Sequence, residues 1–343
     1  MVGGNLTAEN LQIIAKIAEK YGDGHVHLTS RQSVEIPFIK LDDVEEVKEV
    51  LATGGCKPGV CGPRVRTITA CQGSAVCPSG NIDSYDIAKK LDERYFAREL
   101  PHKFKFGVTG CQNNCLKAEE NDVGIKGASI VEWEEAACIN CGICEKTCRV
   151  DAISTVDGKI VLDEEKCNNC GRCVKACPTD AWKATPAFEV SFGGLFGNRV
   201  YKGENYLPLV TSEEQLFRIT DAAIQFFDDN ANPGERFRMT LERVGLDKFE
   251  EKIKEAYNAD FTIDETVDIT DVVCPMTFVK AKVAMEELEI GQVLSVHMND
   301  GEPVQNVPRS FKEEGQQVLK LIDNEDGTYD LIVKKLERVD KRG

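Results

Sequence analysis

A chain of 343 residues with 42% hydrophobic and 29% charged residues has room for two or three domains and is too apolar to be disordered. Its formal net charge of -16 argues against nucleic acid as a partner and offers no polybasic membrane contact, and no apolar run approaches a membrane span. The first residues lack the basic and apolar regions of an export signal, so a cytoplasmic protein is expected, and the 15 cysteines read as metal ligands rather than disulfides.

In chain order, Thr7 can cap a helix running through Leu11, Ile14, Ala15 and Ala18, with Gly22 placed to end it. Alternation predicts short strands at 25–29 and 33–39, then an acidic helix from 42 to 51. Residues 54–62, rich in glycine, read as a loop that carries Cys56 and Cys61. A helix is predicted at 84–100 and a strand at 103–109. On that strand Lys103 and Lys105 share one face, while Phe104 and Phe106 face a core. Arg64 and Arg66 alternate in the same way, and Arg31 follows the first short strand. Residues 138–180 break the composition with eight cysteines and little periodicity, as an inserted module would. Beyond them come a glycine-rich stretch at 192–198 and a helical run at 213–258. The C-terminal part returns to an α+β pattern, with a helix after Cys274, a strand near 293–298 and a hairpin across 325–327.

Within the module, Cys138-x-x-Cys141-x-x-Cys144-x-x-x-Cys148 returns as Cys167-x-x-Cys170-x-x-Cys173-x-x-x-Cys177-Pro178. A cubane cluster draws three thiolates from one tight loop and a fourth from a distance. One cluster is then expected on Cys138, Cys141, Cys144 and Cys177, and the other on Cys167, Cys170, Cys173 and Cys148. The arrays resemble bacterial two-cluster ferredoxins, with Arg149 where proline usually follows the first array. Two zinc sites are the competing reading, disfavoured by the repeated array and its terminal Cys-Pro.

Four more thiols stand in Cys71-x5-Cys77 and Cys111-x3-Cys115. The stretches Thr69-Ala-Cys71-Gln-Gly-Ser-Ala-Val-Cys77-Pro and Gly107-Val-Thr-Gly-Cys111-Gln-Asn-Asn-Cys115 resemble the sirohaem-binding motifs of sulfite and nitrite reductases. The resemblance implies a third [4Fe-4S] cluster on Cys71, Cys77, Cys111 and Cys115, with Cys115 bridging to the sirohaem iron. It implies that Arg31, Arg66, Lys103 and Lys105 bind the anion and protonate its leaving oxygens. Arg64, Gly193, Gly194, Gly197 and Arg199 are expected beside the cofactor. An acidic protein that holds an oxyanion and a carboxylate-rich tetrapyrrole must concentrate positive charge locally, which these residue types would do. This chain carries one copy of a unit the family uses in pairs, so a homo-oligomer is expected to complete the site.

The segment Val267-Asp-Ile-Thr-Asp-Val-Val-Cys274-Pro275-Met-Thr-Phe-Val-Lys280 resembles the TusA (SirA-like) sulfur-carrier family, with Thr277 in place of a second proline. That resemblance implies a persulfide on Cys274, and a helix opened by Pro275 would favour its thiolate.

The expected fold is α+β: a reductase half-repeat with an inserted ferredoxin module and a C-terminal βαβαββ-like domain. Expected boundaries are a ferredoxin-like half-domain at 1–65, a sirohaem/[4Fe-4S] domain at 66–135 and 185–260, the insert at 136–184, and the sulfur-carrier domain at 264–340. The expected activity is six-electron reduction of sulfite to sulfide, fed by a soluble donor such as ferredoxin, with a sulfur-acceptor protein as a further partner. Nitrite reduction, a sirohaem-free electron carrier with a sulfur-handling tail, and a redox sensor built on Cys56 and Cys61 are the alternatives.

Overall fold

The Thr7 hydroxyl accepts the Asn10 N–H (3.1 Å) while the Asn10 side chain accepts the Thr7 N–H (3.0 Å), so α1 (Ala8–Tyr21) starts on a reciprocal cap and stops at Gly22. The computed structural model describes residues 1–156, 158–259, 263–272, 276–324 and 326–336, and the chain divides into two units, Met1–Asn258 and Ala259–Gly343.

In the first unit, β1 (His27–Leu28) and β2 (Val34–Glu35) form a two-stranded antiparallel ribbon, followed by α2 (Val44–Thr53). The ribbon is shorter than the strands expected at 25–29 and 33–39. The turn between the strands closes tightly, with Thr29 N–H on the Ser33 carbonyl (2.8 Å), and Pro37 and left-handed Phe38 (φ 64) end the second. Next come β3 (Thr69–Ala70), α3 (Ser84–Tyr95) and β4 (Phe106–Thr109). Helix α3 ends short of residue 100 because Phe96 is extended and Ala97 takes φ 64.

Two 11-residue strands that the sequence pattern did not announce, β5 (Val123–Trp133) and β8 (Trp182–Phe192), pair antiparallel along their whole length. Between them lie α4 (Ile143–Thr147), the hairpin of β6 (Ile153–Val156) and β7 (Lys159–Leu162), and α5 (Arg172–Ala176). The cysteine-rich module therefore hangs from the tip of a long β-ribbon. A small hairpin, β9 (Leu195–Phe196) with β10 (Val200–Tyr201), follows. The long helical run is three helices, α6 (Glu213–Asn230), α7 (Phe237–Val244) and α8 (Leu246–Asn258), interrupted near Pro233-Gly234 and at Gly245.

The sheet order is β3-β4-β5-β8, parallel except for β8. Its Phe106, Val108, Val123 and Ile125 face packs against α3, α6, α7 and α8 in one core that includes Phe104, Phe227, Phe237 and Phe249. Each such fully buried ring contributes roughly 1.5–3 kcal/mol relative to exposure. The opposite face, with Gly107, Thr109 and Gly124, is free to carry loops.

The second unit runs β11 (Glu265–Asp268), α9 (Met276–Glu287), β12 (Val293–Asn299), α10 (Glu302–Glu313), β13 (Gln317–Asp323) and β14 (Thr328–Lys334). The order is the expected βαβαββ. Its sheet is ordered β11-β12-β14-β13, with β11 and β12 parallel, and Leu294, Val296, Leu331 and Val333 meet Ala281, Met285, Val307 and Phe311 in its core. Among the described residues no helix is long and apolar enough to cross a membrane.

Candidate functional site

A cavity of about 660 Å³, open to solvent, brings Arg31, Arg66, Lys103 and Lys105 together, with His27 and Cys61 also on its wall. Three separate pieces of chain deliver the basic groups. Arg31 sits in the β1–β2 turn, where its guanidinium donates to Asn121 Oδ1 (2.9 Å) and to the Thr67 carbonyl (3.0 Å). Arg66 follows buried Val65, which bridges to Phe104, so that burying the apolar partners turns the charged ones outward. Its guanidinium donates to the carbonyls of Val60 (3.2 Å) and Gly62 (3.1 Å), while its Nε is buried with no partner among the described residues. The alternation expected at 103–106 is present: Phe104 and Phe106 are fully buried.

These charges crowd one another. Burial, then Arg31 and Arg236, push the Lys105 ammonium down to about 8, with Asp122 pulling the other way. Burial also pushes Arg31 down to about 10, helped by Arg66 and opposed by Asp122. Beneath them lies Asp122, fully buried, accepting from the Lys105 N–H (2.9 Å) and pairing with Arg236 (3.1 Å). Burial raises this carboxyl and Arg236 opposes the rise. Asp122, Asn121 and Arg236 escaped the sequence reading. They lie in an acidic run and an irregular turn, with no spacing to mark them.

The thiols occupy two kinds of setting. Cys138, Cys141, Cys144 and Cys177 surround one small cavity, and Cys148, Cys167, Cys170 and Cys173 surround another. The two loops repeat each other in conformation, with Asn140 and Gly142 at φ 55 and 70 and Asn169 and Gly171 at φ 54 and 68. Each left-handed glycine opens a five-residue helix, α4 or α5. Among the described residues no three His, Cys, Asp or Glu side chains stand close enough to hold one metal ion. Four thiols around each cavity form a soft donor set of the kind a multi-iron cluster takes. Each cavity is lined by the four cysteines that the sequence reading groups together.

Cys71 and Cys77 lie on one loop and Cys111 and Cys115 on another, joined where the Asn81 N–H meets the Gly110 carbonyl (2.7 Å). Gly110 also donates its N–H to Cys71 Sγ (3.0 Å). A side chain at Gly110 would stand 2.8 Å from the Gly73 Cα, so the loops touch here because Gly110 has none. Burial pushes the Cys71 thiol up, but hydrogen bonds from Ser84, Gly110, Gly73 and Thr109 outweigh it and leave it below its ordinary value. Cys111 is buried whereas Cys77 and Cys115 are exposed. Four soft thiols on two clamped loops, with one side open, fit a third cluster and a neighbouring cofactor.

The remaining expected positions fall elsewhere. Arg64 ion-pairs with Glu99 (2.6 Å) at the surface. The backbone at Gly194 lies against the carbonyls of Glu119 and Asn121, which a side chain would meet at 2.2 and 2.3 Å. Gly193 donates its N–H to the Asp122 carbonyl (2.9 Å). These two glycines thus brace the segment bearing Asn121 and Asp122. Gly197 and Arg199 sit in the exposed β9–β10 hairpin, where Arg199 reaches Met239 Sδ (3.6 Å). Cys56 is half-buried and Cys61 exposed. Cys274 lies outside the described residues.

Three family descriptions match the chain: the nitrite/sulfite reductase ferredoxin-like half domain at 1–53, the nitrite and sulphite reductase 4Fe-4S domain at 61–261, and the sulfurtransferase TusA at 265–335. The chain is 33% identical over 257 residues to a coenzyme F420-dependent sulfite reductase of Methanocaldococcus jannaschii, covering 74% of this chain and 41% of that protein. It is 33% identical over 231 residues to one subunit of an anaerobic sulfite reductase of Salmonella typhimurium, covering 62% of this chain and 68% of that one. In fold it is similar to dissimilatory sulfite reductase I, with TM-score 0.60, 18% identity and coverage of 77% and 70%. A similar match to the NirA protein of Mycobacterium tuberculosis has TM-score 0.53, 15% identity and coverage of 98% and 53%.

Proposed function

This chain belongs to the nitrite and sulphite reductase family, and on that premise we propose that it reduces sulfite to sulfide, six electrons at a time, in the basic cavity. The observation that carries the reading is the convergence of Arg31, Arg66, Lys103 and Lys105 on one cavity of a protein whose net charge is -16. Such a cluster is costly unless an anion completes it. Arg31, held by Asn121 and the Thr67 carbonyl, and Arg66, held by the 60–62 carbonyls, orient fixed positive charge on the oxyanion. Lys105, held near 8, is poised to give up a proton as oxygen leaves as water, and Lys103, two residues before it and also ahead of β4, lines the same cavity.

Cys71, Cys77, Cys111 and Cys115 would hold one cluster, Cys115 would also help hold the sirohaem, and the two rings of the inserted module would hold two more clusters. When bound, these groups would relay electrons from the donor to the anion, chemistry that no side chain performs. The donor is a soluble electron carrier such as ferredoxin, and a second copy of the chain completes the site. The two-residue ribbon β1–β2, with Leu28, Phe38 and Leu41 at 74%, 77% and 90% exposure beside it, supports that last element.

The TusA domain favours sulfur over nitrogen chemistry, with Cys274 carrying sulfane sulfur as a persulfide whose outer sulfur passes to an acceptor thiolate while the Cys274 thiolate leaves. The test is an anaerobic visible spectrum with iron and labile-sulfide counts on one sample, then steady-state rates with sulfite and nitrite. A chlorin band, iron for three cubanes and a haem, and faster turnover of sulfite are expected. Iron for two cubanes and no chlorin would leave an electron carrier, and faster nitrite turnover would reassign the substrate.

A further inference from the structure

The inserted module and the reductase loops meet at one seam. The Ser129 N–H donates to the Asn169 carbonyl (2.8 Å), and the Asn81 side chain donates to the Cys170 carbonyl (3.3 Å). Gly171 fits here because it has no side chain. A Cβ would stand 2.8 Å from Ser129 Oγ and 3.2 Å from Asn81 Oδ1. One side chain crosses the seam carrying charge. From α5, Lys175 Nζ donates to the carbonyls of Pro78 (3.0 Å) and Gly80 (2.7 Å), immediately beyond Cys77.

That amine stands between two sets of thiols. Cys111, Cys170 and Lys175 line one cavity of about 230 Å³ at the seam, together with Arg172, Gln112 and Asn113. A lysine needed only to staple two loops could do so anywhere along the seam. This one lines the same cavity as Cys170 of the module and Cys111 of the reductase loops, and holds the carbonyls just beyond Cys77.

Resting on the proposed cluster assignments, we infer that Lys175 is a positioning residue for electron transfer: it clamps the loop after Cys77 onto the Cys170 loop and holds positive charge between their two clusters. Its two carbonyl contacts fix how close the sets of thiols stand. Its charge favours the reduced, more negative form of both clusters over the oxidised form. Neither role requires Lys175 to gain or lose a proton.

The test uses the full chain with its metal content. Lys175→Met removes the charge and both hydrogen bonds while keeping the length, and Lys175→Arg restores a charge and donors. Two readouts are taken: potentiometric titration of the clusters by electron paramagnetic resonance, and amide hydrogen exchange of residues 79–82. Those amides include Gly80 on the Cys77 carbonyl (2.9 Å) and Asn81 on the Gly110 carbonyl (2.7 Å). The expected result for Lys175→Met is unchanged iron content, more negative potentials for the clusters on either side, and exchange at 79–82 at least tenfold faster. Lys175→Arg is expected to stay near the parent in both. Unchanged potentials overturn the inference, whether or not exchange quickens, because a plain staple would move exchange alone. If Lys175→Met loses iron, Lys175→Gln carries the same comparison. Iron counts on the parent protein test the cluster assignments separately, and the exchange comparison holds even if those counts fail.

Discussion

The cysteine rings of the module and the basic cavity are built by opposite strategies. Each ring takes three of its four thiols from seven consecutive residues, and the left-handed pairs Asn140/Gly142 and Asn169/Gly171 give both rings one loop shape. The cavity takes Arg31 from a turn, Arg66 from a bridging segment and two lysines from a strand edge, and rests on Asp122 and Arg236, 114 positions apart in sequence. A site written in local spacing tolerates change around it, because its geometry is made by its own loop. A site assembled from distant segments depends on every core contact that aligns them.

The contrast breaks most visibly in metal content. Cys141→Ser is expected to remove the iron and labile sulfide of one cluster and to cut turnover more than a hundredfold, while sulfite affinity of the oxidised protein is unchanged. Metal analysis and an anion titration on the same sample check this. A tenfold loss of affinity would mean that the two regions are not independent.

In the cavity the next-largest effect belongs to Lys105. Lys105→Met is expected to lower kcat/KM about a hundredfold, the order lost when one donor to a developing oxyanion is removed. The pH profile sharpens the assignment. Because the ammonium is held near 8, it is charged below that pH and attracts the anion, and the charge is lost as pH rises through 8. Affinity is therefore expected to fall on the alkaline side, and Lys105→Arg to flatten that limb. An alkaline limb that persists unchanged in Lys105→Arg would assign it to another group.

Asn121→Ala probes the scaffold of the cavity rather than its charge. It removes the acceptor that holds Arg31 at 2.9 Å, a neutral-to-charged hydrogen bond worth roughly 1.5–3 kcal/mol at most. A rise in KM of about tenfold with kcat nearly constant is expected, since Arg31 keeps its charge and its second contact on Thr67. Loss of kcat alone would place Asn121 in the chemistry itself.

How far the sequence disclosed these regions follows from the same contrast. Cys-x-x-Cys spacing specifies a loop by itself, and the Lys103–Phe106 alternation specifies which groups face inward, so both were legible. The strands β5 and β8 were not. Val123–Trp133 carries Gly124, Gly127 and Ala128, because the residues before the insert pack tightly against Ala118 and Gly110, and that composition hides a strand. The helical run at 213–258 was legible in type but not in its breaks. Asp122 and Arg236 were invisible because a buried ion pair leaves no periodic trace in either segment.

Arg64 gives the finest test, since alternation alone put it on the same footing as Arg66. The two residues are separated by one position, yet Arg66 is tied into the cavity wall through Val60 and Gly62, whereas Arg64 pairs with Glu99 in an exposed bridge. The side chains of Arg64 and Glu99 are 40% and 79% exposed, so water and salt screen the pair to about 0.2–1 kcal/mol. Arg64→Ala is thus expected to lower thermal stability by no more than a degree or two and to leave anion affinity and cofactor content unchanged. Melting curves and a sulfite titration measure both. If the variant lost tetrapyrrole or bound the anion tenfold more weakly, the Glu99 pair would have to open for the cofactor, and a rule that reads facing from alternation would hold at Arg64 as it does at Arg66.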